Sequence, residues 1–163
     1  MSRMNVEGRK GFTLVELAVV IVIIGVLAAF GVPRFLRSVE RSKASEAFAY
    51  LSAVRASQER YVSKEGVYAK VLNDLDITQS EMKYFTDDDG AAVTSATTIT
   101  TGTTSGAPSW TLTLKRVGAS SSYGDYTVTF TQDGFDASKS TICDETRKDI
   151  SPLSGTYSTG SGT

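Results

Sequence analysis

The sequence predicts an α+β fold: one long N-terminal helix packed on a small antiparallel sheet. Three observations carry this expectation. From Phe12 to Pro33 runs an apolar stretch of 22 residues with a single charge, Glu16. A thinner apolar period continues beyond it at steps of three and four residues, through Ala44, Ala47, Phe48, Leu51, Val54, Gln58 and Tyr61. After Gly66 the composition turns to Thr, Ser, Gly and Asp, and two segments alternate apolar with polar residues.

The first stretch is too long for a sheet strand and is predicted to be helical. At 1.5 Å per residue it reaches ~33 Å, about the thickness of a bilayer core. In the amphipathic continuation, Glu40, Arg41, Lys43, Glu46, Arg55, Glu59 and Arg60 are expected to solvate the outer face, with Arg55 and Glu59 spaced to pair one turn apart. No proline follows Pro33 until Pro108, and Gly66 after Lys64 and Glu65 is a helix stop. One helix from Phe12 to about Lys64 follows. A short connecting stretch at Val71 to Ile77 and an acidic turn at Asp87 to Gly90 lead to the strands. Trp110 to Val117 points Trp110, Leu112 and Leu114 one way, and Tyr126 to Gln132 does the same with Tyr126, Val128 and Phe130. Turn residues at Gly118 to Asp125 make these two antiparallel neighbours, and Asp133 and Gly134 read as a further turn. Their apolar face needs a cover, and the amphipathic half of the helix supplies it. Thr94 to Ser109 and the tail from Ser154 to Thr163 are rich in Thr, Ser and Gly and are expected to be poorly ordered.

Composition narrows the function. The chain of 163 residues contains no histidine, which removes the commonest general base and imidazole ligand. A net charge of -1 gives no basic field, so no specific nucleic acid is expected. Asp87, Asp88 and Asp89 lack EF-hand spacing and read as a solvated turn, so no metal or other cofactor is expected. Cys143 is the only cysteine and reads as a small packed hydrophobe. Phe30, Phe35, Phe48, Tyr50 and Tyr61 lie at helical spacing and read as core.

The residues that carry a specific signal are Arg9, Lys10, Gly11, Phe12, Thr13, Leu14, Val15 and Glu16, followed by the apolar run with Gly25 and Pro33. This segment resembles the class III signal of type IV pilins and of type II secretion pseudopilins. The resemblance is close from Arg9 to about Pro33 and looser beyond. It implies that a prepilin peptidase in the inner membrane cuts between Gly11 and Phe12 and methylates the new amine of Phe12. It also implies that the Phe12 amine of one subunit meets Glu16 of its neighbour in a helical homopolymer, and that the helix between Gly25 and Pro33 unwinds on assembly. The expected organisation is a leader at 1–11, a membrane and assembly helix at 12–33, an amphipathic half at 34–65, a head at 66–153 and a tail at 154–163. The expected role is a non-enzymatic pilus subunit, held in the bacterial inner membrane as a precursor, delivered by the assembly machinery there and finally extracellular. The alternative is the major pseudopilin of a type II secretion system, in a periplasmic pseudopilus.

Physical chemistry supports these residue types independently. Gly11 lets a protease approach the backbone closely. A carboxylate near one end of a lipid-facing helix costs a few kcal/mol and marks function. Proline at position 33 removes a helix hydrogen bond at a cost of about 3 kcal/mol. An ordinary secretory signal would not hold Glu16 within its apolar core, and Leu27 to Gly31 is a poor cleavage site for one. Arg34, Arg37, Arg41 and Lys43 follow the run as Arg9 and Lys10 precede it, so charge counting alone does not orient the segment.

Overall fold

The computed structural model describes residues 11–77, 82–104, 106–118, 123–145, 147 and 149–153. The expected leader residues before Gly11 and the tail from Ser154 lie outside this set. Helix α1 runs from Leu14 to Glu65, 52 residues. Gly66 ends it with a left-handed φ of 76°, while its N–H still reaches the Val62 carbonyl at 2.9 Å. This is the glycine stop the sequence announces. The chain divides into two compact units, residues 1–36 and residues 37–163.

In the first unit the large apolar side chains are exposed among the described residues. Phe12, Leu14, Ile21, Leu27 and Phe30 are all exposed, and Phe35 is 67% exposed. Phe30 and Phe35 therefore are not core residues of the single chain, contrary to the reading from spacing. The reason is that helical periodicity marks a face without saying whether this chain supplies its cover. By length and composition α1 can cross a membrane.

The second unit is a helix on a sheet. Strands are β1 (Phe85–Thr86), β2 (Thr100–Thr104), β3 (Ala107–Arg116), β4 (Thr127–Thr131) and β5 (Gly134–Phe135). The order is β1-β3-β4-β5, with β2 also on β3, and every pairing is antiparallel. Thr100 and Thr131 both face Thr111, and Thr86 and Thr127 both face Lys115, so β1 and β2 share one edge of β3 and β4 takes the other. The inward alternation holds: Trp110, Leu112 and Leu114 on β3 and Val128 and Phe130 on β4 are buried, with Tyr126 just before β4. They meet Ala44, Ala47, Phe48, Leu51 and Val54 of α1 in one core. The Phe48 ring lies edge-on to Phe130 at 5.8 Å and tilted over Phe135 at 4.9 Å. Gln58 extends this stripe as a polar clamp, donating to the Ala69 carbonyl and accepting the Ala69 N–H, both at 2.9 Å.

Four expectations need correction. Thr94 to Ser109 is not loose: Ile99 is buried, and Thr100 to Thr104 pairs residue for residue with Thr111 to Ala107. Thr104 pairs with Ala107 at the closed end of that hairpin, and Gly106 has a φ of 83°. Low apolar content hid a strand whose stability comes from its neighbour's ladder. Gly134, read only as a turn, opens β5. Glu40 and Lys43 are not on a solvated face: Glu40 is 3% exposed and Lys43 half-buried against it. Arg55, spaced to pair with Glu59, donates its Nε–H to the Gln132 carbonyl at 2.9 Å.

Candidate assembly site

At the start of α1, Thr13 and Glu16 close the helix reciprocally. The Glu16 N–H donates to Thr13 Oγ1 at 3.2 Å, while the Thr13 N–H and hydroxyl both donate to Glu16 Oε2 at 2.9 Å. This is a capping box, with the N-cap hydroxyl and the third helical residue exchanging bonds. It answers two backbone donors that a helix end leaves open. It also engages one oxygen of the carboxylate within the chain. Phe12 stands beside it, 86% exposed, and Gly11 is exposed too. Phe12 thus precedes α1 by two residues, and Glu16 sits in its first turn. Arg9 and Lys10 lie outside the described residues.

Gly25 and Pro33 lie 9 and 17 residues beyond Glu16, ~14 and ~26 Å along a helix. Both fall inside continuous helix in the isolated chain. A Cβ added at Gly25 or Gly31 would meet nothing within 4 Å, so neither glycine is required by packing within this chain. Proline at 33 breaks the bond to the carbonyl of Ala29 without ending the helix.

The capping box is the functional detail that sequence reading missed, although Thr13-Leu-Val-Glu16 spells its signature. A second omission is the network around Glu40. Arg116, 1% exposed, donates from Nε to Glu40 Oε1 at 2.7 Å and from Nη2 to Oε2 at 3.3 Å. The Tyr126 hydroxyl adds a third bond to Oε1 at 3.1 Å, and Lys43 Nζ lies 3.5 Å from Oε2. Burial pushes the Glu40 carboxyl up, but the Arg116 bonds and charge, with Tyr126 and Lys43, outweigh it and leave the net shift downward. Arg116 also donates to the carbonyls of Tyr84 and Val117. The phase was legible: Glu40 precedes Ala44, Ala47, Leu51 and Val54 at helical steps, and Arg116 continues the inward parity of Leu112 and Leu114.

The acidic turn is a turn: the Ala91 N–H donates to Asp87 Oδ1 at 2.7 Å and the Gly90 N–H to the Asp87 carbonyl at 3.1 Å. Cys143 is half-buried, and burial, with the nearby Asp144, raises its thiol.

Comparison with known proteins bears on both units. Residues 8–32 match the family model of the prokaryotic N-terminal methylation motif. Residues 33–147, most of the chain, match the model described as "Type IV minor pilin ComP, DNA uptake sequence receptor". The chain belongs to the type IV pilins. The pilin is 41% identical over 75 residues to the type IV major pilin protein PilA of Myxococcus xanthus, covering 46% of this chain and 34% of that one. It is 50% identical over 48 residues to the type IV narrow pilus major component PilA5 of Thermus thermophilus, covering 29% and 41%. To the type IV major pilin protein PilE of Neisseria gonorrhoeae it is 36% identical over 62 residues, covering 38% and 37%. The matches span about a third to two fifths of these relatives' lengths. No solved structure matches significantly.

Proposed function

We propose that this pilin is a structural subunit that polymerises into a type IV pilus through residues Phe12 to Pro33. The observation that carries the reading is the first unit itself: an apolar helix exposed among the described residues, and a carboxylate at its first turn. Such a surface is stable only in lipid or against copies of itself. The bilayer holds the precursor; a prepilin peptidase cuts between Gly11 and Phe12 and methylates Phe12; the machinery of the inner membrane then moves the subunit into the fibre. There the Phe12 amine of one subunit neutralises Glu16 of the next, and the helix opens between Gly25 and Pro33.

The capping box makes the test sharper than an alanine alone. Glutamine at a capping-box position keeps the cap and removes the charge. If the charge drives assembly, Glu16→Gln and Glu16→Ala both leave cleavage intact and both reduce sheared-fibre yield at least tenfold. A wild-type yield from Glu16→Gln would reduce Glu16 to a helix cap. The mass of the mature N-terminus checks cleavage at Gly11 and methylation of Phe12.

The matched family description also names a DNA uptake receptor. After loss of the leader the chain keeps 17 minus 3, or 14, basic groups and 18 minus 1, or 17, acidic ones. That balance disfavours phosphate contacts over a whole face. A gel-shift titration at low salt that gave tight, sequence-dependent binding would overturn this preference and support the receptor role. Fibres on the cell surface, with secretion unaffected in a deletion strain, would separate the pilus from the pseudopilus.

A further inference from the structure

The cations that follow the apolar run have no role in the assembly chemistry above, and the structure collects several of them. Arg37, Arg41 and Lys43 occupy the first turns of α1 within the second unit, and Lys83 joins them from the segment before β1. The Tyr84 ring gathers Lys43, Lys83 and Arg116: Lys43 Nζ lies 4.8 Å from its centroid, Arg116 Cζ 5.4 Å and Lys83 Nζ 5.6 Å, while Arg37 and Arg41 belong to the same stretch of α1 as Lys43. Arg116 is buried and answered by Glu40. Arg37 pairs with Asp149 at 2.8 Å but keeps a side chain 55% exposed, and Arg41 and Lys83 are exposed. Among the described residues, the ion pairs of these five cations involve two anions, Glu40 and Asp149, an excess of positive charge on a protein that is acidic as a whole. Glu46, the next acid on the helix, comes one turn further on.

Along the chain, Arg37 to Lys43 follow Pro33 by four to ten residues, at most about 15 Å of helix. That distance covers a headgroup layer and one screening length at physiological salt. An aromatic ring flanked by long amines is also the chemistry of the membrane interface, where amine stems lie on apolar surface and their charges reach headgroups.

We propose that Arg37, Arg41, Lys43, Lys83 and Tyr84 form a binding surface for anionic phospholipid headgroups, engaged while the subunit is stored in the bilayer. The proposal rests on the membrane-resident precursor. It gives the cations a task that ends on extraction, when the lipid contacts break.

The test uses the full mature chain in nanodiscs of phosphatidylcholine alone or with phosphatidylglycerol. Amine acetylation is followed by mass spectrometry at Lys43 and Lys83, with exposed Lys70 and Lys139 as internal references. Attraction of the size usual near anionic membranes slows Lys43 and Lys83 about fivefold in the anionic discs. The references stay unchanged, and the difference disappears in about 1 M salt. The double substitution Arg41→Glu with Lys83→Glu abolishes the protection of Lys43. Equal rates in both lipids, or equal slowing at all four lysines, would overturn the proposal while leaving membrane residence intact. A chain that does not enter the discs at all would overturn both.

Discussion

Removing one partner of the Glu40–Arg116 pair should be the most damaging single change in the head. In Arg116→Met, Glu40 stays 3% exposed with the Tyr126 hydroxyl and the more distant Lys43 as its remaining partners. Stranding a buried charge in this way costs about 3–5 kcal/mol. Against a total stability of about 5–15 kcal/mol, that is a third or more of what holds a domain folded. Replacing both residues with apolar ones of similar volume, Glu40→Leu with Arg116→Met, should return the head to within about 1 kcal/mol of wild type, because the desolvation of both charges is removed together. Trp110 is the only tryptophan and is 1% exposed, so its fluorescence reports unfolding of the head during urea titration of the chain in detergent. The pH dependence has a definite sign. The Glu40 carboxyl is lowered in the folded state, so its contribution is complete above the ordinary glutamate value of about 4.3 and is lost as pH falls below it. That part of the acid slope should be missing from the double variant. A single variant losing under about 1 kcal/mol, or a double variant losing the sum of both singles, would refute the reasoning.

Other outcomes follow from individual contacts. Ser140→Ala removes the acceptor, 2.8 Å away, of the buried Thr129 N–H on β4, and should cost about 1–3 kcal/mol in the same urea assay. Tyr50→Phe should be neutral or stabilising by up to about 1 kcal/mol, because the Tyr50 hydroxyl is buried without a hydrogen-bond partner among the described residues. Burial pushes that phenol up to about 12, so wild type should lose stability between about pH 10 and 12 relative to the variant, as the unfolded chain ionises first. Gly66→Ala forces a side chain into a left-handed backbone and should cost about 1–2 kcal/mol, read as a lower urea midpoint at unchanged slope.

Much of this architecture is legible in the sequence because period and parity are physical consequences of helix and strand. The stripe from Ala44 to Gln58 and the alternation from Trp110 to Leu114 required no tertiary information. Errors arose where residue type was allowed to overrule phase. Glu40 and Arg116 lie on the inward positions of their elements, yet charge consigned Glu40 to solvent; only a partner across the core makes the burial of both tolerable, and partnership over 76 positions is not visible locally. β2 failed for the opposite reason. Its residues, Thr-Thr-Gly-Thr-Thr, carry no apolar alternation because the strand is mostly exposed, and its existence depends on the ladder offered by β3. Thr129 and Thr131 depart from outward exposure too, since the chain after β5 returns to β4 and offers Ser140 Oγ and Thr141 Oγ1 to the N–H groups of Thr129 and Thr127. The Thr13–Glu16 box is spelled in the sequence as Thr13-Leu-Val-Glu16, and the same carboxylate that suits a membrane and assembly role also caps its own helix.

The two halves of α1 answer to different conditions, and the network at Glu40 lies close to where one gives way to the other. Before Leu36 the apolar side chains of the helix are exposed among the described residues, so any opening between Gly25 and Pro33 is decided by what surrounds it in lipid or fibre. From Glu40 onward the helix is bonded to β3 by Arg116 and to the residue before β4 by Tyr126, and then packed through Val54. Fraying that begins at Pro33 can spread only seven residues before it must break a buried ion pair. The expensive buried charge therefore has a mechanical use that a hydrophobic substitute lacks: its bonds are directional and fail together rather than sliding. This predicts a difference that thermodynamics alone would hide. If the Glu40→Leu, Arg116→Met head is as stable as wild type, its amide exchange in the segment from Arg37 to Lys43 should still be faster, because local fraying is no longer stopped at residue 40. Equal protection in both proteins would show that packing from Ala44 onward is enough to stop it.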